Sequence, residues 1–231
     1  MRKIAVIHQP NFLPWIGYFY KMMKSDIFIF LDDVQYVKRS LVNRNKIKTS
    51  QGELYIRLPL FQKGKYKQLI NECKLHNKED SFKIFVRTID ANYSKSKYFK
   101  NYFADICDIL NQNIDNLVDL NILFVEWILN ILGVKVDFKK SSELNNINGT
   151  STEKLVSICK EVGANEYLSG FGGAKYQDET IFKKANIKLT ITDFKHPVYE
   201  QLWGEFVPNL SVIDLIFNEG PDSKNIILNA N

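Results

Sequence analysis

The sequence predicts an α/β fold: a Rossmann-like, mainly parallel sheet with flanking helices and a helical insertion around residues 78–132, in a single domain over residues 1–231. Three observations carry this expectation. An apolar strand, a short helix and a second apolar strand follow one another over residues 3–31. A second strand, helix, strand alternation occupies residues 167–192, and between the two the apolar positions recur at helical spacing.

Lys3 to His8 is apolar and β-branched and reads as a buried strand; Ile16 to Lys24, after Pro14, has helical character; Ile27 to Leu31 reads as the second buried strand. Such a unit places His8 and Asp32 at the carboxyl ends of neighbouring parallel strands, where α/β sheets bind ligands. Leu54 to Leu60 is a third strand candidate, entered by the turn Gln51-Gly52-Glu53 and ended by Pro59. Phe82, Phe85, Val86 and Ile89, then Phe103, Ile106, Ile109 and Leu110, mark three helices between Lys78 and Leu132. After Gly133, Val134 to Phe138 reads as a strand, and the Asn-rich stretch 141–149 as a loop. Thr150-Ser151-Thr152-Glu153 has capping-box spacing and should start a helix. Tyr167-Leu168, Gln177 to Lys184 and Ile187 to Thr192 then read as strand, helix and strand, and Ser211 to Phe217 as a short buried helix ended by Asn218-Glu219-Gly220-Pro221.

Composition bounds the function. With 45% hydrophobic and 25% charged residues, the 231-residue chain can bury a core without disulfides, which excludes a disordered or fibrous protein. Aromatic residues make up 13%, enough to line a pocket for a planar or sugar-like ligand. Lys and Arg outnumber Asp and Glu by 31 to 26; a net charge of +5 suits phosphorylated small molecules, and no nucleic-acid module signature accompanies it. Cys73, Cys107 and Cys159 are dispersed, without CxxC spacing, which argues against a disulfide framework or a thiolate zinc site and points to a reducing cytoplasm. The scattered His8, His76 and His196 make no metal site. The apolar run after Met1 is too short for a signal-peptide core, and the longest one, Ile122 to Val134, is interrupted by Glu126 and Asn130, so the expectation is a cytoplasmic protein without a membrane span.

The densest feature is His8-Gln9-Pro10-Asn11-Phe12-Leu13-Pro14-Trp15, where two prolines fix a turn directly after a strand. A lone histidine more often satisfies a backbone carbonyl. Here its place at a strand's carboxyl end, beside Gln9 with its donor and acceptor, favours a general base. Asp32-Asp33, followed by Gln35 and Tyr36, supplies adjacent carboxylates that can orient a histidine, receive an ammonium proton or bind Mg²⁺; one would face the ligand while the other caps or solvates a turn, and either aspartate fits either place. Lys38, Arg39, Arg44, Lys46 and Lys48 form a cationic run in which Arg44, lying among polar amides rather than on an amphipathic helix, is the preferred phosphate ligand. Ser169-Gly170-Phe171-Gly172-Gly173 is read equally as a connection whose glycines allow positive φ or as a concave loop of exposed N–H groups; it is neither a G-x-S-x-G elbow nor a P-loop.

Taken together, His8 to Phe19, Ser25-Asp26, Leu31-Asp32-Asp33-Val34-Gln35-Tyr36, Asn43-Arg44-Asn45, Tyr167-Leu168-Ser169-Gly170, Phe182 and Leu210 to Gly220 resemble the WbqC-like family of bacterial proteins, associated with O-antigen and other surface-sugar gene clusters. The resemblance runs nearly end to end. It implies transfer of an acyl or aminoacyl group to the amine of a nucleotide-linked deoxyamino sugar in surface-polysaccharide (lipopolysaccharide) biosynthesis. The donor would be a thioester on coenzyme A or on the phosphopantetheine of a carrier protein, with no tightly bound cofactor and no metal. His8 with Asp32 or Asp33 would be catalytic. Gln9, Asn11, Trp15, Gln35, Tyr36, Asn43, Arg44, Ser169, Gly170 and Asn218 would bind substrate, Arg44 on a diphosphate and Trp15 or Tyr36 stacked on a base or hexose. Two alternatives stand beside this: a nucleotidyltransferase, although Gln9-Pro10-Asn11 follows His8 where such enzymes use H-x-G-H, and a non-catalytic module that binds sugar nucleotides or a carrier protein.

Overall fold

The computed structural model describes residues 1–62 and 64–230. In chain order the main elements are β1 (Ile4–His8), α1 (Ile16–Met23), β2 (Ile27–Phe30), β3 (Arg44–Thr49), β4 (Gly52–Arg57), α2 (Lys78–Tyr93), α3 (Phe99–Asn111), α4 (Leu117–Ile131), β5 (Phe138–Lys140), α5 (Ser151–Glu161), β6 (Glu166–Ser169), α6 (Phe171–Ala174), α7 (Glu179–Lys184), β7 (Lys188–Ile191), α8 (Val212–Glu219) and α9 (Ser223–Leu228). Five strands form one sheet in the order β5-β2-β1-β6-β7, and every pairing in it is parallel. The α/β expectation holds, with α2, α3 and α4 as the helical insertion. The chain fills one side of β1 with β2 and β5, then returns to the other side with β6 and β7. The direction reverses between β1 and β6, so a crevice opens at their carboxyl ends.

Side-chain alternation distributes two cores over the two faces of the sheet. Val6, Phe28 and Phe30 join the larger core with residues of α1, the insertion and α8, while Ala5, Ile7, Ile27 and Ile29 pack with Val156, Ile158 and Phe182 from α5 and α7. The strands are therefore apolar on both faces, and a buried Phe such as Phe28 contributes about 2 kcal/mol. His8 has the parity of Val6, which directs it to the α1 face, where its ring meets Tyr18 edge-on at 4.7 Å between centroids.

Three expectations are corrected. The strand expected over Leu54–Leu60 is β4, at Gly52–Arg57; it leaves the main sheet to pair antiparallel with β3. β3 itself lies inside the cationic run, because Asn45, Ile47 and Lys48 turn inward and the Lys48 ammonium donates to the carbonyls of Gly204 and Glu205. The strand expected over Val134–Phe138 begins only at Phe138; before it, the Asp137 carbonyl accepts from Phe28 N–H at 2.8 Å. The glycines of the 169–173 segment are not needed for backbone freedom, since Gly170 has φ −78° and α6 starts directly after it. Thr150 does occupy the N-cap of α5, though its side chain makes no capping bond. Among the described residues, no helix is long and apolar enough to cross a membrane.

Candidate functional site at the β1–β6 crevice

The turn after β1 is held from three distant parts of the chain. Asn45 Nδ2 on β3 donates to the carbonyls of Leu13 (2.6 Å) and Phe12 (3.3 Å), and Ser211 Oγ before α8 donates to the same Leu13 carbonyl at 2.8 Å. Asn121 Nδ2 on α4 donates to the Pro10 and Val42 carbonyls, both at 2.8 Å. Leu13 is kept at φ 42°, a left-handed conformation that a leucine adopts only when its surroundings enforce it. Fixing the turn fixes His8 and Trp15 on either side of it.

His8 and Trp15 line a cleft of about 320 Å³ together with Lys21 and Gly17 from α1, Ser169 and Gly170 from the end of β6, and Gln177, Thr192 and Phe194 from beyond. His8 Nδ1 lies 3.1 Å from the Gln9 carbonyl, which also accepts from Tyr18 Oη–H at 3.2 Å. A carbonyl can only accept, so Nδ1 carries the proton and Nε2 keeps its lone pair. The imidazole is pushed down to about 3, first by burial and then by the Lys21 charge, with the Gln9 carbonyl acting against them. It is neutral at physiological pH. Lys21 is 5% exposed and is lowered to about 8 by burial.

Aromatic rings form the outer wall. The Trp15 indole meets Phe194 edge-on at 5.2 Å and stacks at 6.4 Å on His196, whose Nδ1 faces the Pro197 carbonyl at 2.9 Å. Ser169 is 1% exposed, and its hydroxyl donates to the Gly170 carbonyl at 3.2 Å. A β-carbon on Gly170 would stand 3.3 Å from Lys21 Nζ, and one on Gly173 would stand 3.0 Å from Ser169 Oγ and 3.1 Å from Gln177 Nε2. These glycines leave the polar atoms uncovered.

Of the residues singled out in the sequence, His8, Trp15, Ser169 and Gly170 meet in this cleft; half-buried Gln9 turns its backbone carbonyl to His8, and the others lie outside the lining. Asp32, 1% exposed, accepts from Ser141 Oγ (3.0 Å), Ser142 N–H (3.0 Å) and Ser142 Oγ (2.6 Å) in the turn after β5. Asp33 pairs with Lys154 of α5 at 2.8 Å and accepts from Ser141 Oγ. Neither carboxylate is hydrogen-bonded to His8, and the orienting role expected of them is taken by the Gln9 carbonyl. Gln35 donates to the Tyr66 carbonyl at 3.2 Å, Tyr36 Oη–H to Asn43 Oδ1 at 2.9 Å, and Asn43 Nδ2 to the Leu58 carbonyl at 2.8 Å. Arg44 lies on β3 with its guanidinium 4.3 Å from the Tyr55 ring centroid, and its Nε is buried without a partner. Asn11 is buried, and Asn218 spends its amide on the Asp214 carbonyl one helical turn back, at 2.7 Å. Lys21 and Gln177 escaped the sequence reading. The signal for Lys21 was present: it is the one cation in the otherwise apolar Ile16–Met23.

Larger depressions exist, such as a trough of about 660 Å³ between the 146–149 loop, α5 and α7. Its charged residues, Glu153, Lys160, Glu161 and Lys184, are exposed. The β1–β6 cleft is where buried charge, a neutral imidazole and aromatic faces coincide.

A five-strand parallel sheet flanked by helices, with a switch point beside the central strand, defines a Rossmann-like α/β protein whose candidate site is the crevice that gathers these titratable side chains. Residues 9–226 match the WbqC-like protein family, to which the chain belongs. It is 36% identical over 233 residues, covering 98% of both chains, to the uncharacterized protein Rv1507c of Mycobacterium tuberculosis (strain ATCC 25618 / H37Rv). No solved structure matches.

Proposed function

We propose that the protein transfers an acyl or aminoacyl group from a thioester donor to the amine of a nucleotide-linked deoxyamino sugar, in the cytoplasm, as a step in the assembly of a surface polysaccharide such as O-antigen. The observation that carries this reading is the neutral His8 with its Nε2 lone pair in the β1–β6 cleft. In the reaction the amine nitrogen attacks the thioester carbonyl, the C–N bond forms and the C–S bond breaks. His8 Nε2 takes the proton that the amine loses and returns it to the departing thiolate, giving an amide and a free thiol. Negative charge on the bound reactants, set against Lys21, would raise the basicity of an imidazole that burial and the Lys21 charge hold low. Trp15 and Phe194 offer ring faces to the sugar or base. The thioester arm belongs to coenzyme A or to a carrier protein.

Nucleotidyl transfer is the second reading, favoured by the strand order. Numbered as they enter the sheet, the strands run 3-2-1-4-5, the order of a dinucleotide-binding sheet without its sixth strand, with His8 at the end of the first. Gln9-Pro10-Asn11 in place of a second histidine weighs against it.

Thermal shifts with nucleotide-linked amino sugars, bare nucleotides and coenzyme A, repeated with His8→Ala and Arg44→Ala, test the choice. A shift with a sugar nucleotide that exceeds that of its bare nucleotide and is lost in His8→Ala supports acyl transfer. A response confined to nucleoside triphosphates supports nucleotidyl transfer, and binding with no turnover a non-catalytic module. Because Arg44 lies outside the cleft lining, a loss in Arg44→Ala would extend the site to β3.

A further inference from the structure

Among the described residues, no carboxylate neutralises the cation that this cleft contains. Lys21 is 5% exposed, and among the described residues its ammonium takes part in no hydrogen bond or ion pair. Among the described residues, no Asp or Glu lines the cleft. Asp193, between the lining residues Thr192 and Phe194, accepts from Tyr20 Oη–H at 3.2 Å. An ammonium taken out of water without a counter-charge is strongly unfavourable, and structural lysines escape the penalty by pairing or by reaching solvent. Lys21 does neither. A second, independent observation is the clearance around it. Nζ lies 3.3 Å from the position of a Gly170 β-carbon, so glycine there leaves the ammonium open to the cleft.

We infer that Lys21 is the counter-charge for a ligand oxyanion, a phosphate or carboxylate group held in its ground state between Lys21, Ser169 and the Gly170–Gly173 segment. The inference rests on the β1–β6 cleft being the ligand site but not on acyl transfer, so the two can fail separately. The charge on Lys21 also accounts for part of the depression of His8, and an oxyanion that screens it would make the imidazole a stronger base. Binding and proton transfer are thereby coupled.

The test uses the full chain and two probes, sodium pyrophosphate and sodium acetate, each against sodium chloride at matched ionic strength, read by thermal shift and calorimetry. The wild type should show a saturable response to at least one probe, and which one it prefers identifies the class of anion. Lys21→Met should lose at least tenfold in affinity while melting no lower than the wild type, which demonstrates that it folds. Gly170→Ala, whose methyl group would crowd Nζ, should weaken binding severalfold at nearly unchanged melting temperature. Above pH 8 the affinity should decline as Lys21 loses its proton. The other groups facing it, His8 on β1 and Tyr167 on β6, are neutral in that range, the tyrosine because burial pushes its hydroxyl up. No saturable response to either probe, or equal affinity in Lys21→Met, would overturn the inference even if thioester turnover were observed.

Discussion

The indole of Trp15 lies directly over Gly17: a β-carbon on Gly17 would stand 2.4 Å from the ring. Only a glycine at the start of α1 lets the ring close the cleft. Gly17→Ala should expel the indole, cost about 1–3 kcal/mol through overpacking, and shift the tryptophan emission. Ligand affinity should fall with it; unchanged emission and affinity would mean that the ring is not a wall of the site.

Lys21 gives a stability signature with a definite sign. Its folded value, about 8, lies below the ordinary 10.5, so between those pH values the unfolded chain binds more protons and stability rises with pH. At neutral pH the folded state carries the cost of the buried ammonium in full. Lys21→Met should therefore be more stable than the wild type at pH 7, by about 2–3 kcal/mol, with the difference shrinking toward pH 10. A less stable Lys21→Met in urea titrations would contradict the unpaired charge.

His8 acts in the acid range in the same sense, since its folded value near 3 lies below 6.5. Stability should decline as pH falls from 6.5 toward 3, and His8→Gln should flatten that part of the curve. A profile unchanged by the substitution would show that the imidazole is not desolvated.

Asn45 tests the support of the His8 turn. Asn45→Ala leaves the Leu13 carbonyl with Ser211 alone and removes the donor to Phe12, which should cost about 1–3 kcal/mol. Since Leu13 is held in a left-handed conformation by this clamp, the loss should also reduce turnover more than a surface control such as Lys224→Ala. Equal turnover would separate the turn from the chemistry.

The parallel sheet was legible in the sequence because strands buried on both faces read as continuous apolar runs, as Ile27–Phe30 does. The β3–β4 hairpin was harder to see: Lys48 is buried and its ammonium is satisfied by backbone carbonyls from residues 204 and 205, a pairing across 156 positions that charge patterning does not reveal. The site followed the same division. His8, Trp15, Ser169 and Gly170 stand at strand ends and turns, where chain direction alone brings them together. Asp32 and Asp33 were separated from His8 by the serines after β5, which claim both carboxylates. Asn43 and Asn218, prominent in the family motifs, satisfy backbone carbonyls and act in support of the fold. Lys21 was hidden by periodicity, which assigns a helix residue to a face without saying whether a buried amine finds a partner.

The most direct test of the account is thiol release from acyl- and aminoacyl-coenzyme A in the presence of nucleotide-linked deoxyamino sugars, with the amide product followed by mass spectrometry. Acyl transfer in the His8 cleft predicts equal amounts of thiol and amide, and a rate reduced by about 10²–10⁴ in His8→Gln. Thiol and amide formation that persists undiminished in His8→Gln, or pyrophosphate release from a nucleoside triphosphate in their place, would contradict it.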